Sequence, residues 1–215
     1  MRTEVSETPL YVQFGCGLSA PPSWINFDSS PTLRIQRVPI VGSVLGRRDG
    51  YPPFPDNVRY GDIVRGLPIA TQSYQGVYCS HVLEHLSLDD LRVALRNTRS
   101  YLREGGLFRL VVPDLERLCR EYLESSDDNA ALNFMELAHL GVRQRSRGLG
   151  GVMRTWLGNS AHLWMWDYKS LSQEILDAGF SPVRRAAIGD SSDERFNDVE
   201  DPGRWEGCLG LEAVK

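Results

Sequence analysis

Lysine is almost missing from this chain. Of its 24 Lys and Arg residues only Lys169 and Lys215 are lysines, and neither follows a Gly-x-x-x-x-Gly pattern, which excludes an ordinary P-loop nucleotidase. Long apolar runs are also lacking. Nothing approaches the ~18 apolar residues of a membrane helix, and Met1 to Pro9 carries Glu4 and Glu7 among Ser and Thr in place of the apolar centre of an export signal. The four cysteines, Cys16, Cys79, Cys119 and Cys208, form no Cys-x-x-Cys pair for zinc or redox work, and the absence of a Gly-x-Ser-x-Gly elbow excludes that type of serine hydrolase. Positive charge is not in excess either: 24 basic against 28 acidic residues leave a net charge of −4, so a nucleic acid would not be held by charge alone. These absences predict a reduced, cytoplasmic protein without a membrane partner.

What is present suits one globular domain over 1–215, since 41% of the 215 residues are hydrophobic. Leu10 to Phe14, Trp24 to Asp28, Val58 to Tyr60 and Gly76 to Ser80 read as short strands, the longer ones nearly continuous in apolar residues, as expected when both faces of a sheet are covered. Ser87, with Asp90 three residues on, predicts the start of a helix carrying Leu88, Leu91, Leu95, Thr98 and Leu102 on one face and stopped by Gly105-Gly106. A strand from Leu107 to Val112 follows. Asp114 is placed to cap a helix with Leu115, Leu118 and Tyr122 inside. Strands alternating with helices define an α/β class with a mostly parallel sheet. Residues 125–166 break the rhythm with a helical patch (Ala130 to Leu140), an Arg- and Gly-rich stretch and tryptophans, and read as an insertion or lid over the site. A helix from Tyr168 to Gly179 and strands at Val183 to Ile188 and Cys208 to Val214 complete the chain.

Chemistry concentrates where strands end. Gly15-Cys16-Gly17 directly follows the first strand and Asp28 closes the second, a pairing that lets bare backbone approach a nucleoside while a carboxylate takes ribose hydroxyls. A dinucleotide would need a helix opening straight after the glycines to receive its pyrophosphate, and Pro21-Pro22 prevents a long one. A cofactor without phosphates fits better. Gly61-Asp62-Ile63 after the third strand offers a carboxylate to an exocyclic amine such as that of adenine. The fourth strand then ends at Ser80.

These segments make the chain resemble a class I S-adenosylmethionine-dependent methyltransferase. The resemblance rests on Phe14-Gly15-Cys16-Gly17, Trp24-Ile25-Asn26-Phe27-Asp28, Ser80-His81-Val82-Leu83-Glu84-His85 and Leu176-Asp177-Ala178-Gly179-Phe180. It implies a Rossmann-like doubly wound sheet of seven strands with the last antiparallel, S-adenosylmethionine as cofactor and S-adenosylhomocysteine as product. It further implies that Phe14, Gly15, Cys16 and Gly17 border the methionine part and ribose, that Asp28 takes the ribose hydroxyls, that Asp62 and Ile63 face adenine, and that Ser80 and His81 lie near the methyl. Gln13 replaces an acidic residue common in such enzymes, Ser19 replaces a third glycine, and Asp28 follows Gly17 by eleven positions, which implies a trimmed first helix.

Methyl transfer from a sulfonium is an in-line displacement that demands alignment above all. A base is needed only where the acceptor must lose a proton. His81, Asp114 and His162 are the candidates by position. Trp156, Trp164 and Trp166 are expected to form an aromatic wall for the acceptor, with Arg143, Arg145, Arg147 and Arg154 nearby for an anionic one. No Asn-Pro-Pro-Tyr loop of the nitrogen methyltransferases occurs at Pro113-Asp114, so a small-molecule or carbohydrate oxygen is the expected acceptor. This reading assigns no metal. Two alternatives stand beside it: a non-catalytic cofactor-binding module, and a zinc hydrolase using His81-x-x-Glu84-His85, which matches the inverted zincin signature.

Overall fold

The computed structural model describes residues 10–37, 52–142 and 161–215. The strands are β1 (Tyr11–Phe14), β2 (Ile25–Asp28), β3 (Val58–Tyr60), β4 (Tyr74–Ser80), β5 (Leu102–Pro113), β6 (Val183–Ala186) and β7 (Cys208–Val214), joined in one sheet of order β3-β2-β1-β4-β5-β7-β6. The first five run parallel, whereas β7 is antiparallel to both its neighbours. Every residue of β1 and β2 is buried, which is why their sequences run apolar instead of alternating. The topology leaves β1 in one direction and β4 in the other, so a crevice opens at their carboxyl ends, where open α/β sheets take ligands.

Local chemistry sets the helices. Ser87 accepts from the Asp90 N–H to start α2 (Leu88–Tyr101), which buries Leu91, Ala94, Leu95, Thr98 and Tyr101 at helical spacing. Asp114 accepts from Arg117 N–H to start α3 (Leu115–Glu124), α4 spans Ala130–Leu137, and Asp167 caps α5 (Tyr168–Asp177). The α1 helix is one short stretch, Pro31–Gln36, after β2. Helices α2 and α5 cover one face of the sheet, packing Leu95 and Ile175 into a core with Phe14, Phe27, Val77, Phe108 and Trp166.

The opposite face is covered differently. Here the connection from β6 to β7 folds back as a 3-10 turn (Glu194–Asp198) and the short helix α6 (Pro202–Trp205), and seats Phe196, Val199 and Trp205 on Tyr11, Trp24 and Tyr78. The rings stand 5.2 Å (Tyr11–Trp24) and 5.5 Å (Trp24–Phe196) apart, within the range of favourable aromatic contact. Arg109 on β5 anchors this cover. Fully buried, it reaches Asp190 (2.9 Å), Glu200 (2.5 Å) and Glu212 (3.1 Å) and lies under the Trp205 ring.

Tyr122, expected on the inner face of α3, is exposed, and of that helix only Leu118 is buried. Three further expectations change. No helix, trimmed or otherwise, lies between β1 and β2. Only turns fill that interval, because buried Gln13 donates to the Ser19 carbonyl and the Asn26 side chain, and Asn26 donates to the carbonyls of Pro21 and Trp24. Gly105-Gly106 does not stop the helix but lies within β5, which begins at Leu102 and absorbs the extra residues as a register shift opposite Tyr74 and Gly76. The helical patch after Asn129 ends at Leu137 rather than Leu140. Of the segment expected as an insertion, 143–160 lies outside the described residues, with Trp156 and the Arg143, Arg145, Arg147 and Arg154 group.

Candidate functional site

The turn after β1 is held open by backbone geometry. Gly15 and Gly17 both take left-handed backbone (φ 66° and 55°), a region costly for side chains. The Gly17 N–H donates to the Asp28 carboxylate (2.9 Å), which also takes the Ser30 N–H (2.8 Å). Asp28 thus ties the glycine turn to the end of β2. Cys16 extends the pairing through its N–H to the Phe27 carbonyl. Burial, helped by the Asp28 charge, pushes its thiol up to about 12, so it stands as an inert thiol.

A cavity of about 480 Å³ opens beside this turn, lined by Gly15, Cys16, Gly17, Tyr78, Ser80 and Arg204 among others. That volume falls within the usual range for small-molecule sites. Arg204 comes from α6. Its guanidinium donates to the Ser80 hydroxyl (3.0 Å) and carbonyl (2.8 Å), and among the described residues no carboxylate pairs with it. Of the other residues expected around a cofactor, Phe14 and Ile63 are core residues. Asp62 sits in a turn that takes the Val64 N–H (2.9 Å), with the preceding Gly61 N–H donated to the Asp28 carbonyl.

His81 follows β4 in left-handed backbone (φ 54°). Its N–H still pairs with the Val111 carbonyl, while ring Nε2 lies 2.9 Å from the Arg204 carbonyl and Nδ1 3.2 Å from Glu84. Burial alone would lower its pKa, but the Cys208 thiol, Glu84 and the Arg204 carbonyl outweigh it and raise the imidazole to about 10. The inverted zincin arrangement is therefore not formed. His81 precedes a single 3-10 turn (Leu83–His85) instead of sharing a helix with His85, and both its nitrogens are engaged elsewhere.

The remaining candidates separate. Asp114 spends a carboxylate oxygen on capping α3. His162 is buried, with its ring 5.0 Å from His85 and 4.9 Å from His139, and burial pushes its pKa down. Trp164 is 43% exposed and presents a face, whereas Trp166, 2% exposed, belongs to the core and leaves the expected aromatic wall. Two contributors went unread in the sequence. Arg204 and the chain from Ser191 to Trp205 carry no motif, although a lone arginine inside the apolar run Leu107 to Val112 signals that buried Arg109 must find acids.

The sheet order with its antiparallel β7 is that of the class I S-adenosylmethionine-dependent methyltransferases. Residues 21–184 match the family described as a methyltransferase domain. The chain belongs to that family. The match begins after the glycine turn. Among solved structures, PigF with SAH is similar at a TM-score of 0.52 and 14% identity, covering 95% of this chain and 50% of that one. A SAM-dependent methyltransferase from Thermotoga maritima has a TM-score of 0.49 and 16% identity over 95% and 81%. A protein from Nostoc punctiforme has 0.48 and 13% over 98% and 53%. The chain thus spans about half the length of PigF and the Nostoc protein. No curated protein matches it in sequence. Among the described residues no helix is long and apolar enough to cross a membrane.

Proposed function

We propose that this chain binds S-adenosylmethionine at the carboxyl ends of β1 and β4 and transfers its methyl group to a hydroxyl oxygen of a small molecule or carbohydrate. One observation carries the reading: the cavity of about 480 Å³ at the switch point of a methyltransferase sheet, bordered by two left-handed glycines and by an arginine that has no carboxylate partner among the described residues. When bound, the cofactor supplies a methyl group activated by a sulfonium and leaves as S-adenosylhomocysteine.

The residues of the chain align the partners. Gly15 and Gly17 offer bare backbone, and Cys16 between them adds an uncharged wall. Asp28 uses two acceptor positions on Gly17 and Ser30, and a carboxylate has about four, which leaves capacity for ribose hydroxyls. Arg204, steadied by Ser80, suits the carboxylate of the methionine part, since a guanidinium forms paired charge-assisted bonds. Asp62 and Ile63 serve the adenine side and Phe14 closes the strand beneath. Alignment of this kind contributes up to ~7 to 11 kcal/mol of a displacement barrier.

For the acceptor's proton the geometry favours His162, because His81 has both ring nitrogens engaged and Asp114 caps a helix. Trp164, exposed beside it in sequence, supplies an aromatic face for a sugar or ring. A calorimetric titration with S-adenosylmethionine and S-adenosylhomocysteine tests the reading. Binding that Asp28→Ala and Arg204→Ala each weaken ~10-fold or more supports it, the factor expected on losing a charge-assisted bond. Failure of the unaltered protein to bind either compound overturns it.

A further inference from the structure

We propose that Glu84, His85 and His162 form a binding site for one divalent transition-metal ion of zinc type. One donor atom from each of the three lies within 4.8 Å of those of the other two. Donors bonded at 2.0–2.2 Å in a tetrahedron stand about 3.4 Å apart, so small side-chain rotations close the set. The three come from two distant segments that the backbone pins together: the N–H groups of Leu163 and Trp164 both donate to the Glu84 carbonyl, at 2.7 and 3.1 Å.

Glu84 is the observation that calls for a cation. It is fully buried, and while Oε1 stands 3.2 Å from the His81 ring, which suits the outer partner that a ligating carboxylate ordinarily has, Oε2 has no partner among the described residues. A buried carboxylate oxygen left in that state is costly. His85 Nδ1 donates to the Ala161 carbonyl (3.1 Å), which leaves Nε2 its lone pair, and the His162 ring meets the Met165 thioether (3.3 Å from Nδ1) and the Ala138 carbonyl. A neutral imidazole with one N–H so used keeps a lone pair on its other nitrogen. Two imidazoles and one carboxylate select zinc and its first-row neighbours over magnesium or calcium, which favour all-oxygen sites, and leave a coordination position open.

This set differs from the His81-x-x-Glu84-His85 reading because His162 replaces His81. On the methyltransferase proposal the open position would take an acceptor oxygen, and the His162 lone pair would then serve the ion instead of a proton. Ion binding itself needs no cofactor, so the two proposals fail separately.

The test uses the full chain after chelator treatment, without cofactor, titrated with Zn²⁺ by calorimetry and with Co²⁺ by visible absorption. One ion per chain is expected, with Co²⁺ bands of a four- or five-coordinate ion and no thiolate charge-transfer band. His162→Asn and Glu84→Gln should each lower affinity ~100-fold or more, and His81→Asn ~10- to 100-fold, as outer partners do. Should Glu84→Gln fail to fold, half-buried His85→Asn provides the second arm: Zn²⁺ raises the melting temperature of the unaltered protein and not that of the variant. No stoichiometric ion, full affinity in His162→Asn, or a thiolate band would each overturn the site.

Discussion

Val82 occupies the space that a side chain on Gly15 would need. A Cβ built at Gly15 runs into the Val82 Cγ2, whereas one built at Gly17 meets nothing within 4 Å. Val82, two residues past the end of β4, is therefore packed directly on the turn after β1, and the two strand ends that border the cavity are held at one fixed separation.

The two glycines should respond differently to the same change. Gly17→Ala is expected to cost about 1–2 kcal/mol, the left-handed backbone penalty alone. Gly15→Ala should cost more and abolish cofactor binding, because Val82 must also move. Thermal denaturation of both variants, and of Gly15→Ala combined with Val82→Ala, checks this. The double variant should recover part of the loss, and equal losses for the two single variants would contradict the packing.

Arg109→Met is expected to destabilise by about 3–5 kcal/mol in urea unfolding, the usual cost of leaving buried charges without their partner. Glu200 and Glu212 are the charges so exposed to each other, with side chains 2% and 6% accessible. Because the same contacts hold the chain that carries Arg204, cofactor affinity should fall with it. A variant that keeps its urea midpoint would show the network to be dispensable.

Gln13 and Asn26 replace the first crossover helix with side-chain hydrogen bonds, so each is expected to behave as a buried polar residue. Gln13→Leu should cost about 1–3 kcal/mol by leaving the Asn26 and Ser19 oxygens unpaired. Asn26→Leu should do likewise, and the double variant should cost less than the sum, since the two share one bond. Strict additivity in urea denaturation would rule out the shared bond.

Asp190 gives an acid limit to stability. Burial would raise its pKa, but Arg184, the Ala187 N–H and Arg109 hold it down to about 2, below the ordinary 3.8. A carboxylate lowered in the folded state stabilises above its unfolded pKa and loses that contribution as pH falls through the folded value. Urea midpoints should therefore drop between about pH 4 and pH 2, and Asp190→Asn should show a shallower drop over the same window.

Much of this molecule is written in short-range chemistry. The buried strands Tyr11–Phe14 and Ile25–Asp28, the caps Ser87 and Asp114, and the turn Gly15-Cys16-Gly17 followed by Asp28 all follow from apolar runs, side-chain oxygens and missing side chains. Those signals act over a few residues and survive in a bare sequence. The methyltransferase class was legible for the same reason, through strand ends taken in order.

Other features depend on residues far apart in the chain. His81-Val82-Leu83-Glu84-His85 reads as a complete metal signature, yet the left-handed turn at His81 sends that ring to Arg204, and the fold brings His162 to Glu84 and His85 instead. Trp166 reads as one of three neighbouring tryptophans, yet packing takes it into the core and leaves Trp164 outside. Arg204 has no local signal at all. Composition and spacing set which residues could form strands, caps and a nucleoside turn. Only the tertiary structure decided which charged and aromatic groups meet, because burial and pairing energies depend on distances that sequence separation does not encode.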